Sequence, residues 1–426
     1  MNQSPLIHTL SQSENIQVNL EKRTALATLT PAFSAYRMIQ TIEFLASDKL
    51  KGRGLGTNEL DEAANFIAEN FKQYGLLPAS DDGTYLQKWQ QNVLDKKDVK
   101  LSNIIGMIKG TNPKISDAVV LSAHYDHLGL GWPDVKKGNT GKIHNGADDN
   151  ASGVAVMLEI AKSLGKSAKP ARTIIFVAFT GEEAGLVGSK YFVNNYKKYN
   201  TQNIMANLNL DTVGRLYDNK LMVLNSDTAK EWKFIFMGAD YTTGIATQIV
   251  TQDLDASDQV SFINEGIPAV QIFFSGIKSD YHIPLDTANK IDSAGLVKVA
   301  TIVKEVIEYL AERTEPMPFT GNSVNSVHQT KSQDKQQSSR KAATGSMPDF
   351  TFSGVGVKIA GISEGSAADI AGMLKGDIII KFDGNKISTL KEYSNLLKQH
   401  QPNDVVILTV LRAHKPIEIE ITLGER

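Results

Sequence analysis

The sequence predicts an α/β fold, a three-layer sandwich with a mostly parallel central sheet, followed by a small C-terminal domain. Short apolar segments alternate with amphipathic ones through most of the chain, and several are apolar throughout, as strands buried on both faces tend to be. The composition then changes abruptly near residue 316. At 426 residues the chain is also longer than one hydrophobic core usually spans.

Strand and helix candidates alternate along the first part of the chain, which is the pattern of such a sandwich. The strand candidates are LSNIIGMI, AVVLSAH, TIIFVAFT, NIMANLNL, KLMVLN and IPAVQIFF. The helix candidates lie at 57–75, 152–164, 183–196 and 292–310. Thr57 and Asp292 are suitable N-caps, and Gly75 is a suitable C-cap.

A linker is predicted over 316–347, between a domain at 1–315 and a second at 348–426. This stretch is rich in Ser, Gln, Lys and Gly, and from 321 to its final Met it has no aromatic residue. It cannot bury enough apolar surface to offset the entropy of ordering it.

Composition excludes several classes of protein. Because 45 basic residues balance 47 acidic ones, the chain has no overall field to bind nucleic acid. The absence of cysteine excludes disulfides, thiolate nucleophiles and sulfur-ligated metals. No apolar run reaches the roughly 18 to 20 residues of a membrane span, and the first residues lack the apolar stretch of a secretion signal.

Acidic residues and histidines follow most of the strand candidates. In α/β sandwiches, functional residues gather at the carboxyl ends of the strands, so we expect these side chains to converge. The residues in question are His124, Asp126, Asp148, Asp149, Glu182, Glu183, Asp211, Tyr281 and His282.

Such a cluster requires cations, because like charges about 4 Å apart repel by roughly 4 kcal/mol per pair at an effective dielectric constant near 20. Carboxylate and imidazole ligands favour zinc, with cobalt or manganese as possible substitutes. Two histidines and three acids suit two metal ions if one carboxylate bridges them.

The combination of AHYDH, GADDNASG, FTGEEAGLVGS, LNLDTVG, SDQVSF and SDYHIPLDT, in this order, resembles the M28 metallopeptidases, dizinc aminopeptidases and carboxypeptidases. The resemblance covers about 36–310. It implies that Asp149 bridges two zinc ions, that His124 and Asp211 complete one site, and that Glu183 and His282 complete the other. It also implies that Glu182 is the general base acting on a metal-bridged hydroxide, and that the peptide bond after Asp149 is cis.

Further roles are predicted around this ligand set. Asp126, two residues after His124, is expected to accept the other imidazole N–H of that histidine. As in some relatives, Tyr281 is expected to donate to the developing oxyanion. Asp258 is expected to support the site without binding metal. Arg53, in LKGRGLGT, matches a family signature near the substrate, although a helix-entry turn explains the glycines equally well.

Residues 348–426 resemble a PDZ-like α+β domain of the bacterial protease type. The apolar strand 355–359 is the expected position for strand addition by a peptide, with the preceding loop FSGVG holding its carboxylate. Since FSGVG departs from the usual GLGF-like loop, recognition of a free C terminus is not implied. The domain could instead only pack on the catalytic one.

The resemblance implies a zinc-dependent exopeptidase that acts on peptides and is secreted or periplasmic. An aminopeptidase is favoured over a carboxypeptidase. The alternatives are a glutaminyl-cyclase-like transferase with one zinc, a non-catalytic peptide-binding protein on the same fold, and a PDZ adaptor. No membrane span and no nucleic-acid partner are expected.

Overall fold

The computed structural model describes residues 32–199, 201–251, 257–274, 281–321, 341–350, 352 and 354–425. The first 31 residues and most of the predicted linker, 322–340, lie outside this range. No helix in the described part of the chain is long and apolar enough to cross a membrane.

The large domain is built on one mixed sheet. Its strands are β1 (Leu77–Pro78), β2 (Leu86–Val93), β3 (Lys96–Ile108), β4 (Ala118–His124), β5 (Thr173–Phe179), β6 (Ile204–Leu210), β7 (Leu221–Leu224), β8 (Thr247–Ile249) and β9 (Ala269–Phe274). The order is β1-β3-β5-β4-β6-β9-β7-β8, and β2 pairs with β3. The central strands β5, β4, β6 and β9 are parallel, whereas β3 and β7 join them antiparallel. Five of the six strand candidates contain one of these strands, and the sixth, LSNIIGMI, is the second part of β3.

Helices cover both faces of this sheet. They are α1 (Ala35–Leu45), α2 (Asn58–Tyr74), α3 (Gly153–Gly165), α4 (Val187–Asn195), α5 (Glu231–Thr243), α6 (Gln259–Asn264) and α7 (Ser293–Glu312). Alternate residues of β5 belong to different cores: Phe176 packs in the core with α3 and α7, and Val177 in the core with α4 and α6. This alternation is what a sheet buried between two helical layers requires. The three-layer α/β prediction is confirmed.

Local sequence explains where the helices begin and end. The Thr57 side chain accepts the Leu60 N–H at the start of α2, and Gly75 ends that helix with φ +88°. Helix α4 begins at Val187 rather than at 183, because the chain first turns back, with Gly185 N–H donating to Glu182 C=O.

The small domain has its own core and an antiparallel sheet. Its elements are β10 (Ala342–Ala343), β11 (Ser346–Pro348), β12 (Val357–Ile362), α8 (Ala367–Ile370), β13 (Ile378–Phe382), β14 (Asn385–Lys386), α9 (Leu390–Leu397), β15 (Val405–Arg412), β16 (Lys415–Thr422) and β17 (Gly424–Glu425). The sheet order is β11-β12-β13-β15-β16, β14 pairs with β13, and β10 pairs with β17.

Two expectations about this domain are corrected by its pairing. Strands β10 and β11 belong to it, so its ordered structure begins before the predicted boundary at 348. The strand expected at 355–359 corresponds to β12, which pairs with β11 on one side and β13 on the other. The edge strand is therefore β11, and the expectation that a peptide adds to 355–359 is wrong. Because β11 is short and has no alternating apolar pattern, the sequence did not indicate it.

Candidate metal centre

The candidate ligands lie where the central parallel strands end. His124 is the last residue of β4 and is paired in register with Phe179 at the end of β5, while Ala123 is paired with Leu210 at the end of β6. Because these ends are level, His124, the Glu182–Glu183 pair and Asp211 lie on the same rim of the sheet. The loop before α3 adds Asp149, and the chain after β9 adds His282.

The five candidate ligands form two groups that share Asp149. His124 Nε2 lies 3.3 Å from Asp149 Oδ1 and 3.6 Å from Asp211 Oδ1. His282 Nε2 lies 3.2 Å from Asp149 Oδ2 and 3.2 Å from Glu183 Oε2. The two carboxylate oxygens of Asp149 thus face different histidines.

The other nitrogen of each histidine is held by an acceptor. His124 Nδ1 lies 3.2 Å from the backbone oxygen of Asp126, and His282 Nδ1 lies 3.1 Å from Asp134 Oδ2. With Nδ1 as the donor in each ring, the Nε2 lone pair of the neutral imidazole faces the carboxylates. Both Nε2 atoms are buried and have no hydrogen-bond partner among the described residues. Buried acceptors gathered around common points fit metal ions, and oxygen and imidazole ligands without sulfur fit zinc.

The charges of the cluster also favour a bound cation. Burial alone lowers the pKa of His124, but the charges of Glu182 and Asp211 outweigh it and raise that pKa well above 6.5. The cluster therefore carries a negative potential that attracts a proton or a cation.

The adjacent carboxyl groups of Glu182 and Glu183 have different environments. Burial raises the pKa of Glu182 well above its usual range, offset in part by His124 and reinforced by Glu183. Burial acts in the same direction on Glu183, but the charge of His282 outweighs it and lowers the pKa of Glu183 to about 2. Carboxyl groups whose pKa values are pushed apart are suited to different tasks, proton transfer for one and ligation for the other.

Comparison with known proteins identifies both domains. A model of peptidase family M28 matches residues 103–307. These residues form a domain of peptidase family M28. A PDZ-domain model matches residues 323–423, so a PDZ domain follows the M28 domain.

Relatives of the M28 domain include aminopeptidase YwaD of Bacillus subtilis, which is 31% identical over 227 residues, 51% of this chain and 46% of the relative. The chain spans less than half the length of that relative. Among solved structures, a Porphyromonas gingivalis glutaminyl cyclase has a TM-score of 0.56 at 23% identity, covering 66% of this chain and 100% of its own. A zinc aminopeptidase from Bacillus subtilis has a TM-score of 0.54 at 20% identity, covering 67% of this chain and 97% of its own. At these identities the solved structures show a shared fold.

The position of Asp126 in the M28 domain differs from the expectation. Its carboxylate Oδ1 lies 3.7 Å from His124 Nδ1, too far for a hydrogen bond, and instead accepts the backbone N–H of Glu182 at 3.1 Å. The backbone oxygen of Asp126 lies closer to His124 Nδ1 than the carboxylate of Asp126 does. Asp126 therefore contacts His124 through its carbonyl and the Glu182 segment through its carboxylate. The expected peptide geometry is confirmed, because the Asp149–Asn150 bond is cis.

Several residues of the M28 site were not singled out from the sequence. Asp286 accepts the backbone N–H groups of Asp148 and Asp149 and forms an ion pair with Arg215. It thereby fixes the segment that carries the shared carboxylate. Asp286 lies in the quoted motif SDYHIPLDT, four residues after His282, which is the only signal that could have indicated it.

Two further contacts orient the candidate ligands. His127 Nδ1 lies 2.6 Å from Glu183 Oε1, close enough to orient that carboxylate. His127, Asp149 and Glu183 also form a group with metal-binding spacing. Because His127 Nδ1 is occupied by this hydrogen bond while His282 Nε2 faces both carboxylates, His282 fits the ligand position better. Asp134, which holds His282, belongs to an irregular loop that no sequence pattern marked.

The structure also describes two other residues predicted from the sequence, Tyr281 and Asp258. The Tyr281 ring stacks on His282, with ring centroids 3.8 Å apart, and is 37% exposed. Asp258 is buried, and burial raises its pKa to about 7.

Arg53 is fully buried and donates to the backbone oxygens of Leu45, Tyr125, Asn145 and Gly146. Burial lowers the pKa of Arg53 to about 10, which leaves it positively charged at neutral pH. The helix-entry explanation of LKGRGLGT therefore fits the structure, since the guanidinium group joins that turn to the segments around His124 and Asp149 and does not reach a surface.

Proposed function

We propose that this chain is a zinc-dependent exopeptidase, most specifically an aminopeptidase, with two zinc ions in its M28 domain. His124, Asp149 and Asp211 would hold one ion, and Asp149, Glu183 and His282 the other. The observation that carries the proposal is the pair of buried Nε2 atoms that face carboxylates without a hydrogen-bond partner among the described residues. Similarity to an aminopeptidase at 31% identity supports the choice of reaction.

Zinc ions bound at these positions would lower the pKa of water and polarise a substrate carbonyl, and cobalt or manganese could substitute. The chain's own groups supply the proton transfers and the orientation. Glu182, with its raised pKa, accepts a proton from the attacking water and donates it to the leaving amine. Asp126 fixes the Glu182 backbone through its N–H. Tyr281, whose ring stacks on His282, donates its hydroxyl to the substrate oxygen.

The test is Glu182→Gln in the zinc-loaded protein. A glutamine keeps the shape of the side chain but cannot take the proton, so hydrolysis of leucine p-nitroanilide is expected to fall by about 10²- to 10⁴-fold. The zinc content, measured by atomic emission, is expected to remain at the wild-type level. Glu265→Gln, an exposed carboxylate at the end of α6, is the matched control and should leave turnover unchanged. Turnover by Glu182→Gln near the wild-type rate would refute the assigned base.

The same incubations separate the proposal from its alternatives. Because a glutaminyl cyclase shares this fold, peptides with an N-terminal glutamine are included; a cyclase would release ammonia and leave every peptide bond intact. A carboxypeptidase would hydrolyse peptides whose N terminus is acetylated, whereas an aminopeptidase would not. Zinc binding without turnover of any of these substrates would favour a non-catalytic peptide-binding protein.

A further inference from the structure

The M28 domain and the PDZ domain line one cavity of about 800 Å³. Asp149, Asp211 and Tyr281 contribute to its surface from the M28 domain, and Met347 and Tyr393 contribute from the PDZ domain. Ligand cavities of about 300 to 1,000 Å³ hold molecules of drug size, which for a peptide means about three to five residues. The space beside the metal centre is therefore small, and part of its surface belongs to the PDZ domain.

An apolar cluster holds the two domains together beside this cavity. The Phe350 ring packs edge-on against Phe273, with ring centroids 6.2 Å apart. The whole set, here called the interdomain cluster, consists of Met222, Leu224, Val250 and Phe273 of the M28 domain and Phe350 and Leu390 of the PDZ domain. All of its members except Met222 and Val250 also line the cavity. The contact between the domains therefore borders the space beside the metal centre.

The M28 domain needs this contact to bury one face of its own sheet. Along β7, Leu221 and Val223 belong to the core with α3 and α7, whereas Met222 and Leu224 belong to the interdomain cluster. Met222 and Leu224 are each only 2% exposed. Without the PDZ side chains this face of β7 would present an apolar patch to water, which is unfavourable. The position of the PDZ domain is therefore fixed by the core of its neighbour.

The strand beside β7 connects the interdomain cluster with the metal centre. Phe273 lies on β9, which pairs with β7, and the residue before it, Ile272, accepts the backbone N–H of Asp211 at 3.2 Å. The segment that carries this candidate ligand is thus hydrogen-bonded to the strand that contacts the PDZ domain. A peptide whose first peptide bond lies at the metal centre therefore places its following residues in the cavity that both domains line.

We infer that the PDZ domain is a fixed part of the substrate site and limits the M28 domain to short peptides, of about five residues or fewer. The inference rests on the proposed aminopeptidase function and adds its substrate class. A longer chain would have to displace Phe350 and Leu390 from the interdomain cluster and expose its apolar surface. Long peptides and folded proteins are then excluded by the domain interface, and not by the metal centre.

The first experiment measures how kcat/KM depends on peptide length. The substrates begin with leucine, have about two to fifteen residues and are all C-terminal amides, so that the terminal charge does not vary; fifteen extended residues span about 50 Å. With the zinc-loaded full-length protein, we expect kcat/KM to change little up to about five residues and to fall by about tenfold or more at fifteen. A kcat/KM that stays constant up to the longest peptide would overturn the inference.

The second experiment releases the PDZ domain with Phe350→Glu. Phe350 packs in the interdomain cluster, whereas the PDZ core is built from other residues, so the charge should disrupt the interface and leave the PDZ domain folded. Small-angle X-ray scattering is expected to show a larger radius of gyration. The kcat/KM for the longest peptide, divided by that for leucine p-nitroanilide, is expected to rise by about tenfold, because the small reporter monitors the metal centre at either position of the PDZ domain.

Phe352→Glu, the same substitution two residues later, is the matched control. The Phe352 ring lies 5.8 Å from Lys358 Nζ within the PDZ domain and is not a member of the interdomain cluster. We expect this variant to keep the wild-type radius of gyration and the wild-type ratio. A wild-type ratio in a Phe350→Glu protein with an enlarged radius would contradict the inference. An unchanged radius would contradict it as well, since the cluster would then not hold the PDZ domain in place.

Binding tests the length limit without turnover. In calorimetry with the zinc-loaded Glu182→Gln protein, a leucyl tripeptide amide is expected to bind about tenfold more tightly than the same sequence extended to about fifteen residues. Adding Phe350→Glu is expected to remove this difference. Equal affinity for the two peptides in the Glu182→Gln protein would refute the inference. If the wild type hydrolysed no aminoacyl substrate of any length, the proposed function would fail, yet these affinities would still decide whether the PDZ domain limits the site.

Discussion

The large domain buries charge in two neighbouring places that have opposite hydrogen-bonding states. Around Arg53, the guanidinium donates to four backbone oxygens supplied by the protein itself. At the metal centre, the Nε2 atoms of His124 and His282 face carboxylates 3.2 to 3.6 Å away and have no hydrogen-bond partner among the described residues. The first arrangement is complete without a ligand, while the second is complete only with one.

This difference separates structural residues from functional ones better than burial or motif membership does. Arg53 and Asp149 are both buried, and both lie in motifs of the M28 resemblance. Because buried polar groups are normally hydrogen-bonded, a set of unsatisfied ones around a common point indicates a missing partner. The comparison predicts that substitutions at the two places will fail in different measurements.

The largest effect is expected from Asp149→Ala. This substitution removes the carboxylate that both groups share and leaves His124 and His282 without the acceptor between them. We expect the purified protein to hold less than one zinc ion per chain and hydrolysis of leucine p-nitroanilide to fall by about 10⁴-fold or more. Atomic emission measures the first and initial rates the second. If the variant retained two zinc ions, Asp149 would not be the shared ligand.

A smaller effect, on stability, is expected from Arg53→Met. The methionine fills part of the space but leaves four buried carbonyl oxygens without their donor, which should lower the free energy of unfolding by about 3 kcal/mol or more. Urea unfolding followed by tryptophan fluorescence reports it, since Trp89, Trp132 and Trp232 all lie in the large domain. Lys49→Met, four residues earlier with an exposed ion pair to Glu62, is the control and should change stability by less than about 0.5 kcal/mol.

An unchanged unfolding midpoint for Arg53→Met, together with a raised KM, would instead indicate that Arg53 acts near the substrate. The structure predicts the reverse, a lowered midpoint with a KM close to that of the wild type in the fraction that remains folded.

The sequence predicted the part of the site that depends on strand ends. His124, Asp211 and the Glu182–Glu183 pair follow apolar segments long enough to be recognised as strands, and parallel pairing brings them together. It could not predict contacts between irregular segments. Asp134 reaches His282 from 148 residues away, from a loop without periodicity. Strand β10 and most of β11 fall in a stretch whose composition is that of a linker.

The side chain of Asp126 illustrates a second limit. Sequence spacing places it near His124, and it is near, but spacing cannot decide whether a carbonyl or a carboxylate oxygen takes the imidazole hydrogen. That choice depends on the neighbouring strand, because the Glu182 N–H competes for the carboxylate. Competition of this kind is decided only in three dimensions.

The smallest effect is expected in the PDZ domain, where Asp377 extends the comparison. Its side chain is buried and accepts from Arg412 Nε at 2.8 Å and Arg412 Nη2 at 2.7 Å, so this charge is satisfied within the protein. Burial opposes ionisation, but the hydrogen bonds from Arg412 and from the Leu374 N–H outweigh it and lower the pKa of Asp377. The stabilisation is therefore fully present above the unfolded-state pKa of about 3.9 and is lost as the pH falls through the lower folded-state value.

Asp377→Asn keeps the shape but removes the charge, and we expect it to destabilise the PDZ domain by about 1 to 2 kcal/mol at neutral pH. Hydrogen exchange of the β13 and β15 amides, resolved by mass spectrometry in the full-length protein, measures this locally. The gap between wild type and variant should be constant from neutral pH to about pH 5 and narrow below about pH 4, as the wild-type carboxylate is protonated. Glu418→Gln, an exposed carboxylate on β16, should show no gap at any pH. A gap for Asp377→Asn that widened on acidification would mean that its carboxyl is held neutral in the folded state, and Asp377 would then belong with the unsatisfied groups of the metal centre rather than with Arg53.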